Sequence, residues 1–335
     1  MKMSNALINS EIDMQLNNDK CQNQLPLRVV FMGTPEFAAY ILQKTVESGI
    51  NVVGVVTAPD KPAGRGQILT QSAVKQMAMQ YGIKVLQPTN LKNEEFINQL
   101  RDFKPDVQVV VAFRMLPQTV WKLPPKGTFN LHASLLPQYR GAAPINHQII
   151  NGEKETGVTT FFLDNEIDTG NIIFSEKINI TQEETAGTLH DKLMRIGSDL
   201  VIKTINAIID GNVKSYPQPK IEPSELKKAP KIFKEDCRIE WNLPAETIIN
   251  KIKGLSPYPT AFCEIIDSNG SQKRIKVFSA CKSDTSELEV GKFLTDGKSF
   301  LKIGTATNDI KLTEIQSEGK KRMKIEEFLR GNKNF

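Results

Sequence analysis

Hydrophobic residues in the first two thirds of the chain fall in short, unbroken runs at 27–32, 51–57, 83–87 and 106–112. These runs do not alternate with polar residues, so each predicts a strand buried on both faces. Between them the apolar spacing becomes helical, near 35–48, 72–81 and 93–102. Thr34 is the expected N-cap of the first helix, with Pro35 as its first residue and Gly49 at its end. Buried strands interleaved with helices predict an α/β domain with a doubly wound, mostly parallel, Rossmann-like sheet. In such a sheet ligands gather at the carboxyl ends of the strands.

The pattern continues with a strand ending near 132, a short helix at 144–151 and a strand at 157–163. Residues 171–180 alternate Ile172, Phe174, Ile178 and Ile180 with polar residues, as a hairpin or edge strand does. A long amphipathic helix at 185–210 closes at Gly211, so the first domain is expected over 27–211. Residues 212–232 carry prolines at 217, 219, 223 and 230 among lysines and few apolar residues, the texture of a basic linker. Beyond it a helix at 245–254 precedes alternating strands at 260–266, 274–281, 290–295, 299–305 and 310–316, with Asp296-Gly297 as a hairpin turn. A short helix at 324–330 ends this small OB-like β-barrel, expected over 233–331. The first 26 residues, rich in Asn and Gln, read as a disordered tail.

Composition narrows the classes. A hydrophobic content of 39% over 335 residues supports two cores. No apolar run approaches the roughly 18 residues of a membrane span, and the tail has no signal-peptide core, so a cytoplasmic protein free of the membrane is expected, acting as a monomer. Four cysteines form no C-x-x-C pair, and the chain has only three histidines, which argues against a metal site and a disulfide framework. The net charge of +5 is uneven: residues 1–210 hold 20 Lys/Arg against 21 Asp/Glu, and residues 211–335 hold 23 against 17. A neutral front and a basic back suggest a small-molecule site with an anionic partner on the second domain, although a solvated basic surface has the same composition.

Two nucleotide motifs can be set aside. The turn at Gly33-Thr34-Pro35 has one glycine where a dinucleotide site needs G-x-G-x-x-G. Gly291 to Ser299 imitates a P-loop, but with five residues between the glycines and within a hairpin. The loop at 58–71 is long and polar, and glycines beside Arg65 let that cation approach a phosphate closely.

Asn130 and His132 stand two residues apart at a strand end, so their side chains share a face. An amide beside an imidazole suits a developing oxyanion. A solitary strand-end histidine is commonly structural, but Asp168, in an acid-rich turn after a neighbouring strand, can orient the ring and favour its protonated form. No Ser or Cys beside a base marks a covalent nucleophile, so the trio suits direct acyl transfer between two bound substrates.

These residues carry a resemblance. Asn130-x-His132, Ser134-Leu135-Leu136-Pro137, Tyr139-Arg140-Gly141 and Asp168-Thr169-Gly170 resemble the formyltetrahydrofolate-dependent formyltransferases. Residues 31–37, the Pro62 to Gly66 loop and Lys253 to Pro259 are similar to the branch that acts on an aminoacyl-tRNA. The resemblance implies transfer of formyl from 10-formyltetrahydrofolate to the α-amine of initiator methionyl-tRNA, in support of translation initiation. It implies catalytic roles for Asn130, His132 and Asp168, folate contacts from Ser134, Leu135, Leu136 and Pro137, a tRNA contact from Arg65, and tRNA binding by the barrel. Gln67, Ile68 and Ser72-Ala73 depart from the branch's pattern, which often has more cations after Gly66 and a Ser-Pro pair. The alternatives are a formyltransferase for an amino-sugar nucleotide or purine precursor, and a non-catalytic RNA-binding protein.

Overall fold

The computed structural model describes residues 26–63, 68–266, 270 and 272–332. The expected tail, apart from Pro26, and Arg65 lie outside the described residues. The first domain runs β1 (Val29–Gly33), α1 (Glu36–Glu47), β2 (Val52–Val56), β3 (Lys61–Ala63), β4 (Ile68–Thr70), α2 (Ala73–Gln80), β5 (Val85–Leu86) and α3 (Glu94–Asp102). It continues through β6 (Val107–Val111), α4 (Gln118–Trp121), β7 (Thr128–His132), β8 (Arg140–Gly141), α5 (Pro144–Ile150), β9 (Glu155–Phe162), β10 (Ile172–Asn179) and α6 (Ala186–Ile209).

Seven strands make one sheet in the order β10-β9-β7-β6-β1-β2-β5. The five from β7 to β5 are parallel, and β9 and β10 add to the edge antiparallel. The unbroken apolar runs follow from this topology. Phe31, Val109, Phe129 and Leu131 pack with α1, α2 and α6 on one face, while Val30, Met32 and Val110 pack with Phe96, Leu100 and Val120 on the other. A strand covered on both sides has no place for alternating polar residues.

Two local expectations change. Pro35, with extended backbone (φ −80°, ψ 178°), takes the N-cap place expected of Thr34, and its carbonyl accepts from Ala39. The 58–71 segment is not all loop: β3 and β4 pair as a hairpin. Asp60 pins its base, accepting from Lys75 Nζ at 2.6 Å and Gln87 Nε2 at 2.7 Å.

The second domain is a curled antiparallel sheet. After β11 (Lys228–Ala229) and α7 (Ala245–Leu255) come β12 (Ala261–Ile266), β13 (Gln272–Lys282), β14 (Phe293–Thr295), β15 (Leu301–Ile303), β16 (Ile310–Ser317), β17 (Met323–Lys324) and α8 (Ile325–Arg330). The order is β12-β13-β16-β15-β14, with β17 on β16. Ile248 and Ile252 of α7 and Phe328 of α8 fill its core.

The segment between the two cores is bonded to the first domain along much of its length. Tyr216 exchanges both main-chain hydrogen bonds with Ile172, and β11 pairs in parallel with β8.

The domains meet where α5 crosses α7. Gly254 lies so close to α5 that a Cβ there would sit 2.5 Å from Ile150 Cγ1 and 2.9 Å from the Asn146 carbonyl oxygen. Asn146 Nδ2 donates to the Gly254 carbonyl at 2.7 Å, Lys253 Nζ to the Gln182 carbonyl at 2.6 Å, and Gly187 N–H to the Ser256 carbonyl at 3.0 Å. Gly254→Val should therefore force the helices apart and destabilise the protein by about 1–3 kcal/mol. An unchanged urea midpoint would show that the seam does not need the close approach.

Glu184 lies beside this seam, only 4% exposed. Burial works to raise its carboxyl pKa, but Lys192 and the Thr181 N–H outweigh burial and hold it below the usual carboxylate range. Its contribution to stability is thus present at neutral pH and fades as pH falls through the lowered value. Glu184→Gln should lower the thermal midpoint at pH 7, and the deficit should shrink as pH is brought down through the acid range, as melts across pH would show.

Candidate active site

β7 carries the candidate groups because its alternation sends side chains to opposite faces. Phe129 and Leu131 enter the core beneath α6, and Asn130 and His132 face the other way at the carboxyl end of the strand. Asn130 is half-buried, and its Oδ1 has no hydrogen-bond partner among the described residues. A buried acceptor left in this way costs on the order of 1–3 kcal/mol, so the site retains an unmet demand for a donor.

His132 is 6% exposed. Its Nε2 lies 2.8 Å from the Tyr139 carbonyl oxygen. A carbonyl can only accept, so Nε2 carries a proton and Nδ1 is the nitrogen left to meet a substrate. Nδ1 faces Asp168 Oδ2 at 3.9 Å. That gap is too long for a direct hydrogen bond and short enough for the carboxylate to attract a protonated ring.

Asp168 is aimed from two sides. The Gly141 N–H donates to its Oδ2 at 3.0 Å. Its backbone is left-handed (φ 56°), and the neighbouring Gly170 lies against β9, where a Cβ would come within 1.7 Å of the Phe162 carbonyl oxygen. Asp164 organises the turn, accepting from Glu166 N–H and Thr169 Oγ1.

Tyr139, which supplies the carbonyl for His132, is itself left-handed at φ 59°. Its N–H donates to the Lys227 carbonyl at 2.6 Å. Its phenol donates to Glu153, and burial together with that carboxylate pushes its pKa well above the usual tyrosine value. The phenol therefore stays protonated and holds the turn.

Ser134, Leu135, Leu136 and Pro137 form a wedge directly after β7. Ser134 is fully buried, and its Oγ donates to the Gln138 carbonyl. Thr159 Oγ1 donates to the Ser134 carbonyl and accepts from Leu136 N–H. Leu136 packs with Phe161 and Ile172, and Leu135 lies against Gly157.

The structure thus brings together Asn130, His132, Asp168 and the 134–137 wedge. It also adds groups that sequence reasoning left without roles: the Tyr139 carbonyl, the Gly141 N–H and Gln218. Main-chain partners have no sequence signature. The signal for Gln218 was present, in a glutamine held between Pro217 and Pro219. Two cavities lie elsewhere: one of about 560 Å³ is lined by Arg101, Lys104 and Lys122, and one of about 240 Å³ by Glu184, Glu246 and Lys253. Among the described residues no group of His, Cys, Asp and Glu could hold a metal ion.

Comparison with known proteins gives the family. Residues 27–205 match the formyl transferase family model, and residues 231–333 match that of the formyl transferase C-terminal domain. A methionyl-tRNA formyltransferase of Bacteroides fragilis is 52% identical over 307 residues, covering 91% of this chain and 95% of that protein. One from Parabacteroides distasonis is 50% identical over 313 residues, covering 92% and 97%. Among solved structures, HypX from Aquifex aeolicus in complex with tetrahydrofolic acid superposes with a TM-score of 0.62 at 18% identity, over 91% of this chain. The chain spans about half of that protein's length, 47%, and the likeness is one of fold. With a nucleophile-free Asn-His-Asp face at the strand ends and both domain models matched along its length, the chain belongs to the formyl transferase family.

Proposed function

We propose that the protein transfers the formyl group of 10-formyltetrahydrofolate to the α-amine of methionyl initiator tRNA, in the cytoplasm and at the start of translation. The observation that carries the reaction is the fixed pairing of His132 and Asp168: Nε2 is committed to Tyr139, and Nδ1 is turned toward a carboxylate that Gly141 holds. The relatives, about half identical over nearly their whole length, support the acceptor.

The free amine attacks the formyl carbon, forming the C–N bond, and the carbonyl electron pair moves to oxygen. His132, protonated at both nitrogens, donates from Nδ1 to that oxygen, and Asn130 donates from Nδ2. The 3.9 Å space between His132 Nδ1 and Asp168 Oδ2 accommodates a shared group, so the carboxylate can steady the imidazolium and take the amine's surplus proton. Collapse of the tetrahedral centre re-forms the carbonyl and breaks the bond to the folate nitrogen, which takes up the proton that Asp168 received from the amine and leaves as tetrahydrofolate.

Folate would lie against the wedge of Ser134, Leu135, Leu136 and Pro137. Its side chains are turned into the fold, so the wedge would contribute shape and main chain. Arg65, which lies between β3 and β4 in the sequence, is proposed to meet the tRNA acceptor end. The excess of Lys/Arg in residues 211–335 suits the polyanion. The free thiols of Cys237, Cys263 and Cys281 fit a reducing compartment. An amino-sugar or purine-precursor acceptor would have no need of that basic domain.

Labelled formyl transfer from 10-formyltetrahydrofolate to methionyl-tRNA tests the reading, and no transfer would sink it. Asn130→Ala and His132→Ala should each lower kcat by roughly 10²–10³, and Asp168→Asn by a comparable factor. Near-normal turnover in all three would remove the assignment. Raising salt from about 50 to 200 mM should raise KM for methionyl-tRNA steeply while leaving KM for the formyl donor nearly flat. Equal responses would separate the basic domain from tRNA binding.

A further inference from the structure

The segment joining the two domains does more than connect them. From Lys214 to Lys220 every residue is exposed except Gln218, which is half-buried. Pro217 and Pro219 flank it, each fixing its own φ and driving the residue before it to extended backbone. Tyr216 then anchors the segment by two main-chain bonds to Ile172. This rigid, doubly restrained stretch sets one side chain down behind the catalytic turn.

Gln218 Nε2 donates to the Asp168 carbonyl at 2.8 Å and to the Gly170 carbonyl at 3.0 Å. Its Oε1 accepts from Arg140 Nη2 at 2.6 Å and Nε at 3.2 Å. The amide orientation follows from these partners, because guanidinium only donates and carbonyls only accept. Arg140 adjoins Gly141, whose N–H holds Asp168 Oδ2. Gln218 therefore closes a ring that contains the Asp168 backbone, the Asp168 carboxylate, Gly141 and Arg140.

We propose that Gln218 is a positioning residue for formyl transfer: from the interdomain segment it fixes the left-handed Asp168 backbone, and so the place of the carboxylate opposite His132. The proposal rests on the reaction proposed above for its kinetic consequence, and on geometry alone for its structural one. Gln218 touches no reacting atom. It acts through Asp168, and displacement of a catalytic group by about 1 Å can cost up to 10²-fold in rate.

Two substitutions separate positioning from simple anchoring. Gln218→Ala removes both sets of bonds. Gln218→Glu keeps the acceptor for Arg140, strengthened by charge, but turns a carboxylate toward the two carbonyls that need a donor. Both variants should melt within a few degrees of the parent. Both should lower kcat by roughly tenfold or more, with KM for methionyl-tRNA and for 10-formyltetrahydrofolate within about twofold.

Amide exchange at Gly141, read by NMR on the full chain without substrates, supplies a measure independent of activity. Exchange of that N–H should quicken about tenfold in both variants as the Asp168 carboxylate loses its fixed place. Restored kcat in Gln218→Glu would mean that Gln218 only anchors Arg140, and would overturn the proposal. So would a loss confined to KM for tRNA, or a Gly141 exchange rate equal to that of the parent. A parent enzyme inactive on methionyl-tRNA would instead overturn the assigned reaction, leaving the exchange measurement to decide the role of Gln218.

Discussion

The bond from His132 Nε2 to the Tyr139 carbonyl governs what the candidate Asn130–His132 face can do. It fixes which ring nitrogen carries the permanent proton and which is free. It also joins the end of β7 to the turn entering β8, so the imidazole cannot rotate without giving up its bond to that turn. The other arrangements depend on it. Tyr139 must be held for its carbonyl to be held, and it is, through its N–H, its carbonyl and its phenol. The segment after the catalytic domain provides the first of these restraints, so the geometry of one imidazole reaches across 88 residues, from position 139 to position 227.

Backbone conformation points to the same place. Five described residues other than glycine have positive φ, and three of them stand at the carboxyl ends of the sheet: Ala112 after β6, Tyr139 before β8 and Asp168 between β9 and β10. A left-handed residue with a Cβ costs roughly 1–2 kcal/mol. Such conformations persist only where the surroundings over-determine them, and for Tyr139 and Asp168 the surroundings include hydrogen bonds to their main-chain groups. The 134–137 wedge belongs to the same economy of constraint, since its side chains keep the loop after β7 against β9 and β10.

The sheet was legible in the sequence because its strands are covered on both faces and read as uninterrupted apolar runs. Asn130 and His132 were legible as a pair because strand periodicity is two; Asp168 was expected in a loop after a neighbouring parallel strand, but β9 runs antiparallel to β7, and the turn after it folds back to reach His132. Other features were hidden for physical reasons. The Pro35 cap depends on backbone angles that either candidate residue can adopt. The β3–β4 hairpin is held through its base by Asp60, 15 residues from Lys75 and 27 from Gln87, with no local period to reveal it. The interdomain segment looked like a linker because prolines and lysines supply no core. Its attachment uses main-chain groups and one glutamine, neither of which alters composition. Extended, proline-stiffened chain is poor at building a core, yet well suited to lying along an edge.

That attachment has a consequence for how the molecule is made. The partners that complete the catalytic turn lie far downstream: Gln218 is 50 residues beyond Asp168, and Lys227 is 88 beyond Tyr139. All seven strands of the sheet and α6 precede these restraints in the chain. The parallel β11–β8 pairing, last of the set, forms only once residue 229 is free. The turn around Asp168 and Tyr139 is thus completed by the interdomain segment, and a chain ending at the long helix would lack every one of these partners.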